Sequence, residues 1–226
     1  MATEPIASLA AAKEALAPAG LTVTGAFHPA AGEAPEDVAT LLMIGADGSA
    51  MWAAFAASPE FADGRAAPLD RWSERILGAA AARLGARAFF PFGGPPWQPF
   101  MAWAGRAEGA VSSPIGMMVT PSRGLHAAWR GALGFAARID LSALPAPGTV
   151  PCAVCDAPCR TACPVGAFGA EGYDTMACAR HVRSEAGADC RESGCLARRA
   201  CPVSAPIAPA QAAFHLAAFV AARPAG

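Results

Sequence analysis

The sequence predicts an α+β fold in two parts: a mixed domain over residues 1–144 and a small cysteine module over 150–204. A helical tail follows over 205–226. Three observations carry this. Helical and strand-like hydrophobic patterns alternate through the first 144 residues. No cysteine precedes Cys152, and all eight fall between Cys152 and Cys201. Between the two parts lies LPAPGTVP, Leu144–Pro151, whose three prolines and glycine make an extended linker or turn.

The elements follow in order. Residues 5–17 read as a helix that ends before Pro18-Ala19-Gly20. Leu21–Phe27 alternates and is β-branched, which suits a strand. Ala39–Gly45 is a short apolar run bounded by turn residues, the pattern of a buried strand, and Asp47-Gly48 then closes a tight turn. Leu69, Trp72, Ile76, Leu77, Ala80 and Leu84 recur at helical spacing, with Arg71, Glu74, Arg75 and Arg83 between them, so an amphipathic helix of about four turns is expected. Arg87–Phe92 is the next strand and runs into the loop Gly93-Gly94-Pro95-Pro96. Residues 97–107 are expected to be helical. Ile115–Thr120 and Ala132–Leu141 are expected to pair as antiparallel strands, with Pro121-Ser122-Arg123-Gly124 in the bend. In the tail, Phe214, Phe219 and Val220 recur on one side of a helix over Ala208–Arg223, a face suited to covering the module or the core.

Composition excludes several classes. Charged residues make up 15% of the chain and the formal net charge is −1, so an electrostatic nucleic-acid binder is not expected. Lys13 is the only lysine, and no basic cluster accompanies the arginines. The N-terminal stretch lacks a basic region followed by an apolar core, and no run is long and apolar enough for a membrane span. A cytoplasmic location is therefore expected, where thiols stay reduced and eight cysteines are not expected to form disulfides. Neither a GxGxxG nor a P-loop motif occurs, and no Ser-His-Asp or zinc-hydrolase signature is present.

The cysteines carry the chemistry. The first group is PCAVCDAPCRTACPVGAF, with Cys152, Cys155, Cys159 and Cys163 followed by Pro164. Its spacing, C-x2-C-x3-C-x3-C-P, has one residue more than the bacterial ferredoxin run, in which the fourth cysteine ligates the other cluster. The second group is looser: Cys178, Cys190, Cys195 and Cys201, then Pro202. A cubane corner takes a soft thiolate, and short C-x2-C steps let one loop wrap a cluster. The proline after the last cysteine turns the chain away and removes a donor. Two Cys-Pro steps imply exchange between sites. One 4Fe–4S cluster would use Cys152, Cys155, Cys159 and Cys201; the other would use Cys163, Cys178, Cys190 and Cys195. Zinc could also take eight cysteines, but zinc ribbons favour two well-separated C-x2-C pairs, and the second group has none. Asp174 is placed to cap a helix carrying Cys178 and His181 in its first turns. Arg180, Arg183, Arg191, Arg198 and Arg199 could offset cluster charge, meet an acidic partner, or form a solvated face.

These segments resemble epoxyqueuosine reductase and the related corrinoid reductive dehalogenases over about 69–201. LDRWSERILGAAAARL is similar to that group's helix before the active-site strand, and ARAFFPFGGPPWQPFMAWA to the strand and loop after it. SPIGMMVTPSRGLHAAWRGALGFAARIDL is similar to the stretch leading into the clusters; the three cysteine-bearing segments follow in the same order. The resemblance implies a nitroreductase-like domain holding a corrinoid against a two-cluster ferredoxin-like module, fed by a redox partner of the ferredoxin or flavodoxin type. Cobalamin is the cofactor it implies; flavin comes second. The group's loop aspartate is replaced here by Gly93-Gly94-Pro95-Pro96, its helical repeats are absent, and the dehalogenases' tyrosine acid has no counterpart beyond Tyr173, the only tyrosine. No catalytic residue is therefore assigned. His126, between Arg123 and Arg130, is the candidate proton donor or ligand, and the two arginines could bind phosphate or carboxylate groups of a large cofactor. His28, after a strand, is a second candidate acid. Trp97, Trp103 and Trp129 are expected to pack in the core rather than line a flat cofactor. The rival to a reductase is a ferredoxin-like carrier with no active-site cofactor of its own, and the third reading is a zinc-stabilised structural protein.

Overall fold

The computed structural model describes residues 8–224 and is mixed α and β with small antiparallel sheets. In chain order its elements are α1 (Leu9–Leu16), β1 (Leu21–Phe27), β2 (Thr40–Ala46), α2 (Ala50–Ala56), α3 (Pro59–Ala62), α4 (Pro68–Leu84), β3 (Arg87–Phe89) and α5 (Phe100–Glu108). Then come β4 (Val111–Ser112), β5 (Met118–Val119), β6 (Trp129–Phe135), β7 (Phe168–Gly169), β8 (Gly172–Tyr173), α6 (Thr175–Arg183), α7 (Ala188–Ser193), α8 (Leu196–Arg199) and α9 (Pro209–Ala221). The chain divides into two compact units. One holds the residues up to Gly109 plus Ala128–Pro147; the other holds Ala110–Ala127 and everything from Gly148 on.

The first unit is built on a four-stranded antiparallel sheet in the order β1-β2-β6-β3. β1 buries every second residue, as its alternation requires, whereas β2 is buried along almost its whole length because it lies between two neighbours. α1 starts at Ser8, whose hydroxyl accepts from the Ala11 N–H at 3.1 Å. The part of that expected helix before residue 8 lies outside the described residues. α4 buries Leu69, Trp72, Leu77, Ala80, Ala81 and Leu84, and Gly85 closes it in a left-handed conformation. Trp72, Phe55, Trp103, Leu41, Leu42, Met43 and Ile44 are all at most 2% exposed. Each large side chain of that kind contributes about 1.5–3 kcal/mol of transfer free energy. Buried Glu108 ties α5 to the sheet, accepting from the Thr24 hydroxyl at 2.5 Å and the Trp129 indole at 2.6 Å.

Four expectations are corrected. Ile115–Thr120 and Ala132–Leu141 do not pair with each other: β5 pairs with β4, and β6 pairs with β2 and β3. Both stretches are apolar over most of their length, and such patterns specify strands without specifying partners. The strand from Arg87 stops at Phe89, and the helix expected from 97 begins at Phe100, after a loop rich in proline. Trp97 is 67% exposed, outside the core, while Trp103 is buried with its indole N–H on the Glu33 carbonyl at 2.7 Å.

The second unit has little sheet. β4 and β5 form one short hairpin, and β7 and β8 form another. Its helices are short except α9, which packs on α6 and α7. Asp174 caps α6 as expected, accepting from the Met176 and Ala177 N–H groups at 3.1 and 2.8 Å. Gly187 lets the turn before α7 lie directly on the last turn of α6; a Cβ there would overlap the His181 carbonyl. Ile115, Val119, Leu125, Cys159 and Ala197 form the centre of this unit, and Cys152, Cys163, Cys195 and Cys201 pack against it.

Candidate metal centre

All eight cysteines are free thiols. They line two small apolar cavities, four to each. Cys152, Cys155, Cys159 and Cys201 line the first together with Val119, Leu125, Pro158 and Pro202. Cys163, Cys178, Cys190 and Cys195 line the second together with Phe168, His181, Leu196 and Leu216. The grouping is the one that follows from letting Cys163 and Cys201 each leave their local run. The larger open grooves lie elsewhere; one, in the first unit, is walled by alanines, Trp72, Arg75 and Arg83.

The first set rests on two single helical turns, Pro151–Ala153 and Pro158–Arg160. Ala157 adopts a left-handed φ of 50°, which turns the chain so that Cys159 points inward and is buried. Cys201 arrives from far along the chain, and a clamp holds it. The Leu125 N–H donates to the Ser204 hydroxyl at 2.8 Å, Arg198 Nε donates to the Leu125 carbonyl at 2.7 Å, and His126 Nδ1 donates to the Ala205 carbonyl at 2.7 Å. Gly124, with φ +55°, gives Ser204 the space it needs, since a Cβ there would overlap it. Segment 120–126 thus grips the chain on both sides of Cys201.

The second set is assembled from four different elements. Cys163 precedes Pro164, and its sulfur accepts the Ala167 N–H at 3.3 Å. Cys178 sits on α6 at the fourth helical position, not the first turn, with its N–H already given to the Asp174 carbonyl at 3.2 Å. The helix N-terminus therefore contributes less to this thiol than its sequence position suggested. Cys190 is buried on α7, near the Leu196 backbone N–H. Cys195 stands at the start of α8. α9 closes the cavity with Leu216. Tyr173 lies near the Cys178 thiol, stacked on Phe168 with ring centres 4.6 Å apart and on Phe219 at 6.1 Å.

Burial is the largest influence on these thiols and pushes Cys152, Cys159, Cys178 and Cys190 above the ordinary cysteine value; neighbouring thiolates of the same set push the same way. Raised in this way the four sulfurs stay protonated and neutral at neutral pH; as thiolates around an apolar cavity they would need a cationic centre to offset them. Among the described residues, no three His, Cys, Asp or Glu side chains converge tightly on the position of one metal ion. Arg198 is half-buried and close to Cys195 and Tyr173, and desolvation pushes its own pKa down.

The other expected residues are placed as follows. Arg123 and His126 belong to the clamp segment of the second unit; Arg130 lies on β6 in the first. His126 is below the ordinary histidine value, chiefly through burial, with Arg198 and Arg199 adding to it. Arg130 is 3.9 Å from Asp70, and its Nε is buried without a hydrogen-bond partner among the described residues. His28 Nε2 pairs with the Ile139 carbonyl at 2.9 Å. The arginines of the module mostly hold main chain: Arg183 binds the carbonyls of Val220, Arg223 and Pro224, and Arg191 those of Val182 and Ser184. Two parts of the site were missed from sequence. Segment 110–127 supplies a wall of the first cavity, and Tyr173 supplies the neighbour of Cys178. The first had no signal; the second had one, a lone tyrosine five residues before a ligand candidate. No family model, curated protein or solved structure matches this chain. No helix among the described residues is long and apolar enough to cross a membrane.

Proposed function

We propose that the second unit, read as a ferredoxin-like module, binds two 4Fe–4S clusters and that the protein transfers electrons. Cys152, Cys155, Cys159 and Cys201 would hold one cluster, and Cys163, Cys178, Cys190 and Cys195 the other. The observation that carries this reading is the sorting of eight thiols into two sets of four, each around its own apolar cavity. The donor set fits. Thiolates are the ligands such clusters take, and a four-iron core supplies the positive charge that buried sulfurs need. A single zinc ion would draw four thiolates to about 3.8 Å from one another, from a Zn–S bond of about 2.3 Å. Thiols spaced around a cavity suit a larger group. Bound clusters would supply one-electron chemistry. The chain itself excludes water through Leu125, Leu216 and the prolines, and directs the Ala167 N–H at the Cys163 sulfur.

The wider reading is a reductase in which electrons from a ferredoxin- or flavodoxin-type donor reach a substrate or corrinoid held by a nitroreductase-like first unit. Its support is the resemblance over 69–201 and the spare donor of Arg130, which fits a carboxylate or phosphate group of a large cofactor. A carrier without its own substrate is favoured by the loop after β3, where Gly93–Pro96 offers no acid. Anaerobic purification or reconstitution followed by iron and sulfide analysis tests the main proposal. About eight irons and eight sulfides per chain are expected; stoichiometric zinc without sulfide overturns it. Adding cobalamin separates the two finer readings. A spectral change with thermal stabilisation supports the reductase, and neither effect supports the carrier.

A further inference from the structure

Cys201 is bracketed by two side chains that bind one and the same residue. On its N-terminal side, Arg198 donates through Nε to the Leu125 carbonyl at 2.7 Å; on its C-terminal side, the Ser204 hydroxyl accepts the Leu125 N–H at 2.8 Å. The chain between them is tightly turned. The Cys201 N–H donates to the Arg198 carbonyl at 3.3 Å, and the Ser204 N–H donates to the Cys201 carbonyl at 2.9 Å. Leu125 is itself only 2% exposed, and it lines the same cavity as Cys201. The cavity wall and the fourth thiol of the first set are therefore tied into one piece.

The segment that carries Leu125 is firmly held. Thr120 and Gly124 exchange both backbone hydrogen bonds, at 3.1 and 3.0 Å, and the Thr120 hydroxyl accepts the Arg123 N–H at 3.2 Å. This turn follows β5, whose Val119 lines the cavity as well. We infer that Ser204 is a positioning residue of the first site: through Leu125 its hydroxyl holds Cys201 against Cys152, Cys155 and Cys159, so retention of the group they bind depends on the remote segment 120–126. The inference rests on the two-cluster reading above. Ser204 carries it rather than Arg198, because Arg198 lies on α8, which begins at Cys195, and so belongs to both sets. Ser204 follows the last cysteine and touches the first set alone. The coupling is reciprocal: a group bound to Cys201 must also steady segment 120–126.

The test uses the iron-loaded full chain as wild type, S204A and S204T. Each is challenged anaerobically with an iron chelator and alkylated at intervals, and every cysteine is followed by peptide mass spectrometry. In S204A the thiols of Cys152, Cys155, Cys159 and Cys201 are expected to become alkylated about fivefold faster than in wild type, the factor that one lost hydrogen bond gives. Cys163, Cys178, Cys190 and Cys195 should keep the wild-type rate, and S204T, which retains the hydroxyl, should restore the first set. Equal acceleration of all eight, no acceleration, or failure of S204T to restore the rate overturns the positioning role. If S204A retains no iron, hydrogen exchange decides: segment 120–126 should stay protected in C163S and lose protection in C201S, and equal protection in the two overturns the role. Wild-type protein that takes up neither iron nor sulfide overturns the two-cluster reading itself.

Discussion

Cys201 and Cys163 are the residues on which the two-site arrangement turns, because each serves a set other than its sequence neighbours. C201S is expected to remove the cluster of Cys152, Cys155 and Cys159, and C163S the other. Each variant should retain about four irons and one paramagnetic signal. If C163S abolished the signal that C201S also abolishes, the assignment would be local rather than crossed. At the same scale, Arg75 donates to Glu60 through Nε and at 2.8 Å through Nη2, and holds its carboxyl down to about 2. The folded value lies below the unfolded one, so the stabilisation is complete above about pH 4.5 and is lost as pH falls toward 2. The melting-temperature gap between wild type and E60Q should be constant above about pH 5 and should narrow by about pH 3. A gap independent of pH down to that point would mean that the pair adds no stability.

Elements differed in how legible they were. β1, β2, α4 and the Asp174 cap stand where hydrophobic period and capping chemistry put them, because each is determined by its own residues. The two cavities gather the thiols in the sets that the Cys-Pro steps suggest, since each step marks where a cysteine leaves its run. Strand partners were not legible. Val111–Ser112 is only two residues long, too short to register as a strand, yet it is what β5 pairs with. The role of 110–127 was hidden for the same reason, since a wall contributed by a remote segment leaves no local pattern. Two element-level outcomes follow. G187A forces a methyl group into the α6 carbonyl and should destabilise the second unit by about 1–3 kcal/mol, read as a lower melting temperature. L216A opens one wall of the second cavity; a half-buried leucine should cost about 1–2 kcal/mol, less than a fully buried one. In air, the signal of the cluster on Cys178 should decay faster in L216A than in wild type, with the other signal unaffected. Equal decay of both would mean that α9 shields neither site selectively.

On the scale of the whole molecule, the two units differ in what holds them together. The first has a four-stranded sheet, the 17-residue α4 and a set of fully buried aromatic and aliphatic side chains. The second has two-residue strands, short helices and a small apolar centre in which cysteines are a large share. With the proposed clusters bound, such a unit would depend on them in the way small metal-bound domains depend on their metal. Removing iron should therefore abolish hydrogen-exchange protection in α6 and α7 while amides of β2 and β6 keep theirs. Retained protection in α6 and α7 after complete iron loss would mean that the cysteine unit folds without the clusters.

The clamp on Cys201 has a consequence for the order of events during synthesis. The first thiol set opens with Cys152 but cannot close until Cys201 has left the ribosome, and the second, which opens later at Cys163, is complete once Cys195 emerges. The site begun first is thus finished last. Three thiols of that set precede it, and the residue that completes the set is also the one that Ser204, Arg198 and segment 120–126 draw into place.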